Sequence, residues 1–311
     1  YKTFMDTATR DKQGVSPLMP TFKKINAIKN VQDLQKLLMQ VEAKGGGLGF
    51  FGFGIGADSK DSNKNVVTLG VGGLGLPDRE YYTSDDKDSK EKREKYVTHV
   101  ARMLEFYGTK PEVAKKQAQS ILAFETQLAQ PRFTRVELRD DRLQYNPTTI
   151  ANLQKMVPLI NWTNYLNGIG IKGINSVVVS QPKYMEALQS IFKAGKVNDW
   201  KAYLKWNLLR GAAGQLSTEI GEANFDFYGR ALTGAIKQRP LEERALQVVN
   251  RATGEALGKL YVEKKFPAEA KAKAEKAYNL VQQEAWDIVC RDYSDDATTK
   301  NEGGLLKEFG S

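Results

Sequence analysis

Apolar residues recur at steps of three and four along most of this chain, which is the spacing of amphipathic helices. In residues 31–41 the stripe consists of Val31, Leu34, Leu37, Leu38 and Val41, and the glycines at 45–47 predict the end of that helix. Two helical stretches are expected in the first forty residues, divided by a turn at 14–17. From residue 84 onwards the pattern is helical almost to the end. Later helices are predicted near 148–156, 161–167, 182–193, 198–220, 222–237, 241–263 and 268–289.

The spacing changes between residues 48 and 71. Residues 48–57 (LGFFGFGIGA) are aromatic and glycine-rich, 58–64 are polar, and 66–71 (VVTLGV) are rich in β-branched side chains. Two apolar extended runs around a polar loop predict a β-hairpin that pairs 48–57 with 65–71. The triplet 177–179 (VVV) predicts one more short extended piece. The expected fold class is therefore mostly α, with one small β-hairpin.

Composition places the chain among folded globular proteins. It has 311 residues, of which 41% are hydrophobic and 27% charged, enough for one large or two medium domains. The net charge is +9, but the bases at 87–95 and 263–276 alternate with acids, as on solvated helix faces. We therefore expect no nucleic-acid partner, and no apolar run is long enough to predict a membrane span. The abrupt start at Tyr1 and the abrupt end suggest an excised piece of a longer protein.

Catalytic chemistry is restricted by the scarcity of two residue types. The sequence contains one histidine, His99, and one cysteine, Cys290. The zinc motif HExxH needs two histidines one helical turn apart, and a cysteine-based zinc site needs more than one thiol. His99 lies in a predicted helix without a glycine-flanked serine nearby, which favours a partly exposed helix histidine over a catalytic base. Cys290 is expected to be a buried helix thiol. No catalytic residue, metal ligand or cofactor site is predicted in this chain.

Two further patterns carry no clear chemistry. Gly52, Gly54 and Gly56 would let a backbone approach a phosphate, but neither a Gly-Lys-Ser/Thr sequence nor a helix follows them. We expect instead a strand packed closely against a neighbouring backbone. The acidic pairs at 140–141 and 295–296 lie in polar, loop-like segments, and their sequence context gives them no general-acid role.

Residues 1–283 resemble the N-terminal lid domain of neprilysin-type zinc endopeptidases. The most specific matching segment is 74–82 (LGLPDREYY), which is close to the family's Leu-Gly-Leu-Pro-x-Arg-x-Tyr-Tyr. The other matches, in family order, are 1–6 (YKTFMD), 14–18 (GVSPL), Tyr145-Asn146, 200–206 (WKAYLKW), 225–228 (FDFY), Leu232-x-Gly234, 238–240 (QRP) and 254–262 (GEALGKLYV). The resemblance implies a multi-helix lid domain.

The same resemblance implies a function for the whole family protein. Its members are two-domain peptidases in which the lid covers a cavity that admits only small peptides. Zinc, HExxH and the downstream glutamate ligand belong to the other half, so zinc is implied only for a full-length member. The implied partners are peptides or the missing peptidase domain. Because the chain lacks the disulfide cysteines of animal members, a periplasmic or extracellular bacterial protein is the closer model.

The last 28 residues depart from the lid pattern. Tyr293-Ser-Asp-Asp, followed by Gly303-Gly304-x-Leu306-x-x-Phe309, is similar to the middle of a parvulin-type prolyl isomerase. On that pattern Asp296 stands near the active-site position, but the rest of an isomerase domain is missing. The expected domains are a lid at 1–283 and an incomplete parvulin-like fragment at 284–311.

Two other functions stay open from the sequence: an isomerase or chaperone-like fusion that uses the helical domain to bind peptides, and a helical scaffold without a ligand. For the tail itself, we predict that the helix beginning near 268 continues to about 291. It would be anchored by Trp286 and Val289, with little regular structure in 294–311.

Overall fold

A computed structural model of the protein describes residues 1–194, 196–297 and 299–302. The chain divides into two compact units. The larger unit is Asp6–Gln238, and the smaller unit joins Tyr1–Met5 to Arg239–Ser311.

Helices account for most of the described residues, as predicted. In chain order they are α1 (Lys2–Met5), α2 (Thr7–Gln13), α3 (Met19–Asn26), α4 (Val31–Glu42), α5 (Glu80–Thr83), α6 (Lys87–Phe106), α7 (Pro111–Ala129), α8 (Asp141–Gln144), α9 (Ile150–Met156), α10 (Trp162–Gly168), α11 (Pro182–Ala194), α12 (Val197–Ala212), α13 (Thr218–Phe225), α14 (Leu241–Lys265), α15 (Ala268–Val281) and α16 (Trp286–Tyr293). A π-helical segment, Asp226–Ala231, directly follows α13.

One four-stranded sheet lies in the larger unit, with strand order β1-β2-β4-β3. The strands are β1 (Phe51–Ala57), β2 (Asn65–Val71), β3 (Asn146–Thr149) and β4 (Ser176–Val179). β1 and β2 form the predicted antiparallel hairpin, with Phe51 opposite Val71. The sheet is larger than that hairpin because β4 pairs in parallel with β2, and β3 pairs antiparallel with β4. The hairpin and the extended triplet at 177–179 are confirmed.

The core of the larger unit is aromatic. Phe50 lies at its centre, with ring centroids 5.1 Å from both Phe192 and Tyr203 and 6.2 Å from Phe124. The Trp-x-x-Tyr-Leu-x-Trp spacing at 200–206 puts all four large side chains of α12 into this core. A stripe at three- and four-residue steps therefore produced one buried helix face, as its spacing predicts.

The helix predicted at 198–220 is interrupted. α12 ends at Ala212, and a 3₁₀ turn at 213–215 leads to α13. Ser217 caps α13, since its hydroxyl accepts a hydrogen bond from the backbone N–H of Ile220. Asp11 also accepts the N–H of Thr218 at 2.6 Å. These caps satisfy backbone groups that a continuous helix would have used internally.

In the smaller unit, the single helix predicted from 268 to 291 is wrong. α15 ends at Val281 and α16 begins at Trp286. The break lets α16 pack against α15, where Lys273 forms an ion pair with Asp295. Val289 and Cys290 are buried in this arrangement. If α15 continued straight, Val289 and Cys290 would point away from α15 and could not pack against it.

The tail agrees only in part with expectation. Cys290 is buried, as predicted, but Trp286 is 60% exposed and does not act as the expected anchor. Thr299 is buried, and residues 300–302 form a 3₁₀ turn, so some structure continues past α16. The predicted lack of structure at 303–311 concerns residues outside those that are described.

Candidate functional site

The segment 74–82 is attached to the helices beneath it by its tyrosine side chains. The hydroxyl of Tyr82 accepts the backbone N–H of Leu76 at 2.7 Å and donates to Oε2 of Glu125 at 2.8 Å. The hydroxyl of Tyr228 donates to the carbonyl of Gly75 at 2.8 Å. Residues far apart in the sequence therefore fix the turn that carries the most specific family motif.

Glu125, fully buried on α7, is the centre of this hydrogen-bond network. Its Oε2 also accepts the hydroxyl of Tyr96 at 2.7 Å, and Tyr96 in turn accepts Nε1 of Trp206 at 2.6 Å. Gly75 packs directly against this group, because a Cβ at that position would lie 1.7 Å from the Tyr96 hydroxyl oxygen. The close approach explains why glycine stands at the second position of the motif.

Burial governs the ionisation of this network. Burial raises the pKa of Glu125, while hydrogen bonds from Tyr96 and Tyr82 and the charge of Arg210 act in the opposite direction. Burial, followed by the nearby charge of Glu125, raises the pKa of both tyrosine hydroxyls well above the usual value. Both phenols therefore stay protonated near neutral pH and serve as donors. The network is suited to holding a turn in place, and it offers no exposed acid–base pair to a substrate.

His99, on α6, lines a surface groove of about 430 Å³ together with charged residues that include Arg102 and Asp226. The His99 side chain is only 5% exposed, so the expectation of a partly exposed histidine is wrong. Its ring stacks on Phe227, with centroids 4.9 Å apart and planes 9° apart. The π-helical segment brings Phe227 and Tyr228 against the ring, an arrangement that the helical spacing of α6 does not reveal.

The surroundings of His99 keep its imidazole neutral. Burial and, to a smaller extent, the charge of Arg102 lower its pKa to about 3, while the charge of Asp226 acts in the opposite direction. Nε2 of His99 is buried, and no hydrogen-bond partner for it occurs among the described residues. Arg102 and Asp226 form an ion pair with each other at 2.8 Å.

The groove lacks the pairing that a nucleophilic hydrolase requires. The hydroxyl of Thr98, which also lines the groove, donates to the carbonyl of Glu94 at 3.1 Å. A hydroxyl nucleophile would need instead a hydrogen bond to a base such as His99. The geometry provides an aromatic pocket around a neutral imidazole and no nucleophile–base pair.

Gly52, Gly54 and Gly56 lie in β1, as predicted, but the expected close packing is wrong: a Cβ at any of them would have no neighbour within 4 Å. The strand is exposed from Gly54 to Ala57, and Ile55 is 68% exposed, which accounts for the open space at Gly54 and Gly56.

The acidic pairs have local structural roles. Asp140 caps α8 and pairs with Arg142 at 2.8 Å. Asp295 pairs with Lys273, and Asp296 accepts the hydroxyl of Thr299 at 2.7 Å. Nothing in these contacts brings the acidic residues to a common site.

Within 1–194, 196–297 and 299–302, no group of three or more His, Cys, Asp or Glu side chains could hold a metal ion. The absence of a metal site and of catalytic residues in the whole chain stays a prediction. No helix in the described part is both long and apolar enough to cross a bilayer.

Comparisons with known proteins extend the resemblance. The family model described as "Peptidase family M13" matches residues 1–299. Human endothelin-converting enzyme 1 is 29% identical over 289 residues, which are 88% of this chain and 36% of that enzyme. The chain thus spans about a third of the length of the curated relatives it matches.

Solved structures agree in fold. Zinc metalloprotease Zmp1 of Mycobacterium tuberculosis in its open state matches with a TM-score of 0.82 and 31% identity, over 97% of this chain and 47% of that chain. PepO of Lactobacillus rhamnosis matches with a TM-score of 0.73 at 18% identity, a likeness of fold alone.

These matches support the peptidase interpretation. They give no support to the alternative of a prolyl isomerase fusion. The family match continues past residue 283, and the proposed domain boundary there stays a prediction. The helical fold, the anchored Leu-Gly-Leu-Pro turn and the match over nearly the whole chain lead to one assignment: this chain belongs to peptidase family M13, the neprilysin-type metallopeptidases, and represents the N-terminal region of that family.

Proposed function

We propose that this chain is the non-catalytic lid portion of a neprilysin-type zinc metalloendopeptidase that cleaves small peptides. The observation that carries the proposal is the family match over residues 1–299 in a chain that covers only 47% of the zinc metalloprotease Zmp1. The zinc ligands and the catalytic base would belong to the remaining part of such a protein.

The sequence supports this division of labour. A chain with one histidine cannot form HExxH, whatever its fold. His99 is buried against Phe227, and Cys290 is buried in the smaller unit, so neither is presented as a ready ligand. In a full-length protein, zinc would supply the Lewis acid and the activated water, while this region would help enclose the peptide.

The proposal extends to the domain boundary, partners and location. Residues 1–283 form the lid, its partners are small peptides and the peptidase domain, and the protein is exported to the periplasm or the extracellular space. The fold of the larger unit suits a lid, because its aromatic core and the Glu125 network give a rigid body.

Zinc content and peptide cleavage test the non-catalytic assignment. The purified chain should carry well below one zinc per molecule by elemental analysis and should leave a quenched fluorescent peptide intact. The matched control is His99→Gln, which should give the same result. Stoichiometric zinc that is lost in His99→Gln, or cleavage sensitive to a chelator, would show that the chain holds a metal site of its own.

A chimera tests the lid assignment. In it, this chain replaces the matching region of Mycobacterium tuberculosis Zmp1, its relative at 31% identity. The chimera should cleave a short quenched peptide and spare a large unfolded protein such as casein, because a lid restricts access by size. Equal cleavage of both substrates would contradict a lid function.

A further inference from the structure

Helix α14 of the smaller unit is bent at Thr253. The backbone there is non-helical, with φ −138° and ψ 25°, and the Thr253 hydroxyl donates to the carbonyl of Val249 at 2.9 Å. Threonine back-bonding of this kind bends helices. The bend separates the first half of α14, where Glu242 accepts the hydroxyl of Tyr1 at 2.9 Å, from a second half that ends at Lys265.

The second half of α14 has one apolar side. Gly254, Leu257, Gly258 and Tyr261 follow the i, i+3, i+4, i+7 spacing of a single helix face, here called the post-bend face. Charged residues recur at steps of four on another side of the helix: Glu255, Lys259 and Glu263. Leu260, which is 51% exposed, lies outside the post-bend face, so the charged side and the post-bend face do not divide the helix completely.

The apolar side is nevertheless open. Leu257 is 45% exposed and Tyr261 61% exposed. A Cβ added at Gly254 or Gly258 would meet no atom within 4 Å. Neither glycine has a positive φ, so the local conformation does not require glycine at either position. Glycine inside a helix lowers its stability relative to alanine, and nothing in the described residues compensates for that loss.

We propose that the post-bend face is the surface on which the peptidase half of a neprilysin-type metallopeptidase docks, with the two glycines allowing a backbone of that half to approach closely. The inference rests on the proposed function. It commits to the peptidase half because the relatives contain a large region that this chain does not match: 53% of the Zmp1 chain lies outside the matched 47%.

The chemistry of the face fits a permanent intramolecular partner. The four residues carry no charge, and their apolar side chains flank two positions without side chains. Such a surface gains from burial against a complementary apolar surface and offers little to a charged or freely exchanging ligand. In a full-length protein, the peptidase half belongs to the same polypeptide and would therefore always be present to cover this face.

The experiment compares the chain alone with the Zmp1 chimera. Gly258→Ala should raise the urea midpoint of the chain alone, since alanine favours the helix and meets no neighbour. In the chimera the same change should lower peptide cleavage by about fivefold, the equivalent of one lost close contact, and should lower the thermal midpoint. Leu257→Ala should lower peptide cleavage and the thermal midpoint of the chimera while leaving the urea midpoint of the chain alone nearly unchanged, because Leu257 is 45% exposed there. Glu255→Ala, on the charged side of the same helix, is the matched control and should change neither protein appreciably.

The outcomes separate the docking face from the lid function. If the parent chimera cleaves the peptide but Gly258→Ala and Leu257→Ala leave it unchanged, the docking face is wrong and the lid function survives. If the parent chimera does not cleave, the proposed function fails and the docking face fails with it. If light scattering shows that the chain alone forms a dimer that Leu257→Ala dissociates, a second copy covers the face and the proposal is overturned.

Discussion

Acidification from about pH 7.5 to about pH 5 should destabilise this protein through His99. The folded chain holds His99 neutral, with a pKa of about 3 against an ordinary value of 6.5, because the ring is buried beside Phe227 and near Arg102. The unfolded chain has no such environment, and its histidine takes up a proton below pH 6.5. Stability from the neutral His99 is therefore complete above pH 6.5 and is lost progressively as the pH falls towards 3.

The size of the effect follows from the two pKa values. At about pH 5 the histidine of the unfolded chain is almost fully protonated, while the folded one is almost entirely neutral. Because pH 5 lies about 1.5 units below the unfolded pKa of 6.5, the free energy of unfolding falls by ~2 kcal/mol at 1.36 kcal/mol per unit. The full loss, about 5 kcal/mol, would be reached only below pH 3.

Urea unfolding followed by tryptophan fluorescence measures this loss. Trp206 lies 5.5 Å from the ring of His99, so its emission reports on the same part of the core. His99→Leu is the control, because leucine fills a similar volume without titrating. Carboxylates titrate equally in both proteins, and their contribution cancels when the two pH dependences are subtracted.

The difference between the two proteins decides the outcome. Between about pH 7.5 and pH 5, the original chain should lose ~2 kcal/mol more than His99→Leu. Equal losses would mean that His99 titrates as an exposed histidine does. The assignment of a buried, neutral imidazole would then be incorrect.

Three further predictions concern the hydrogen-bond network and the tail. Gly75→Ala should lower the free energy of unfolding by about 1–3 kcal/mol in urea titrations, since its Cβ collides with the Tyr96 hydroxyl; an unchanged midpoint would refute the close approach. Glu125→Leu should cost about 3 kcal/mol because two buried tyrosine hydroxyls lose their acceptor, while Glu125→Gln keeps one oxygen acceptor and should recover much of it; equal losses would count against the network. A chain that ends at Arg291 should leave unfolding of the Asp6–Gln238 unit unchanged by calorimetry, and a shifted transition of that unit would contradict the division.

Local sequence signals predicted what they encode directly. The hairpin, the helix ending before the glycines at 45–47 and the buried stripe of α12 each arise from residues close in sequence, and all three are observed. The pairing of β2 with β4 was not predictable in this way, because no periodicity relates strands more than a hundred residues apart. The helix predicted at 148–156 also begins too early, because residues 148 and 149 belong to β3.

The environment of His99 and the break after Val281 could not be predicted from the sequence, for a related reason. His99 is buried by a π-helical segment whose sequence, 226–231, has the apolar content of an ordinary helix. The break at 282–285 contains neither glycine nor proline, so no local signal ends α15 there. Both features result from tertiary packing, which overrides local preference. Of the candidate site, the sequence identified the 74–82 motif but gave no indication of its attachment to Glu125.

The parallel pairing of β2 and β4 has a consequence for biosynthesis. Thr68 pairs with Val178, 110 positions further along the chain. At translation rates of about 5–20 residues per second, the β1–β2 hairpin would emerge from the ribosome about 5–20 seconds before the strand that covers its edge. During that interval the open edge of β2, with the apolar sequence VVTLGV, is available to pair with other chains. We expect this nascent hairpin to be the stage of synthesis at which the protein depends most on chaperones.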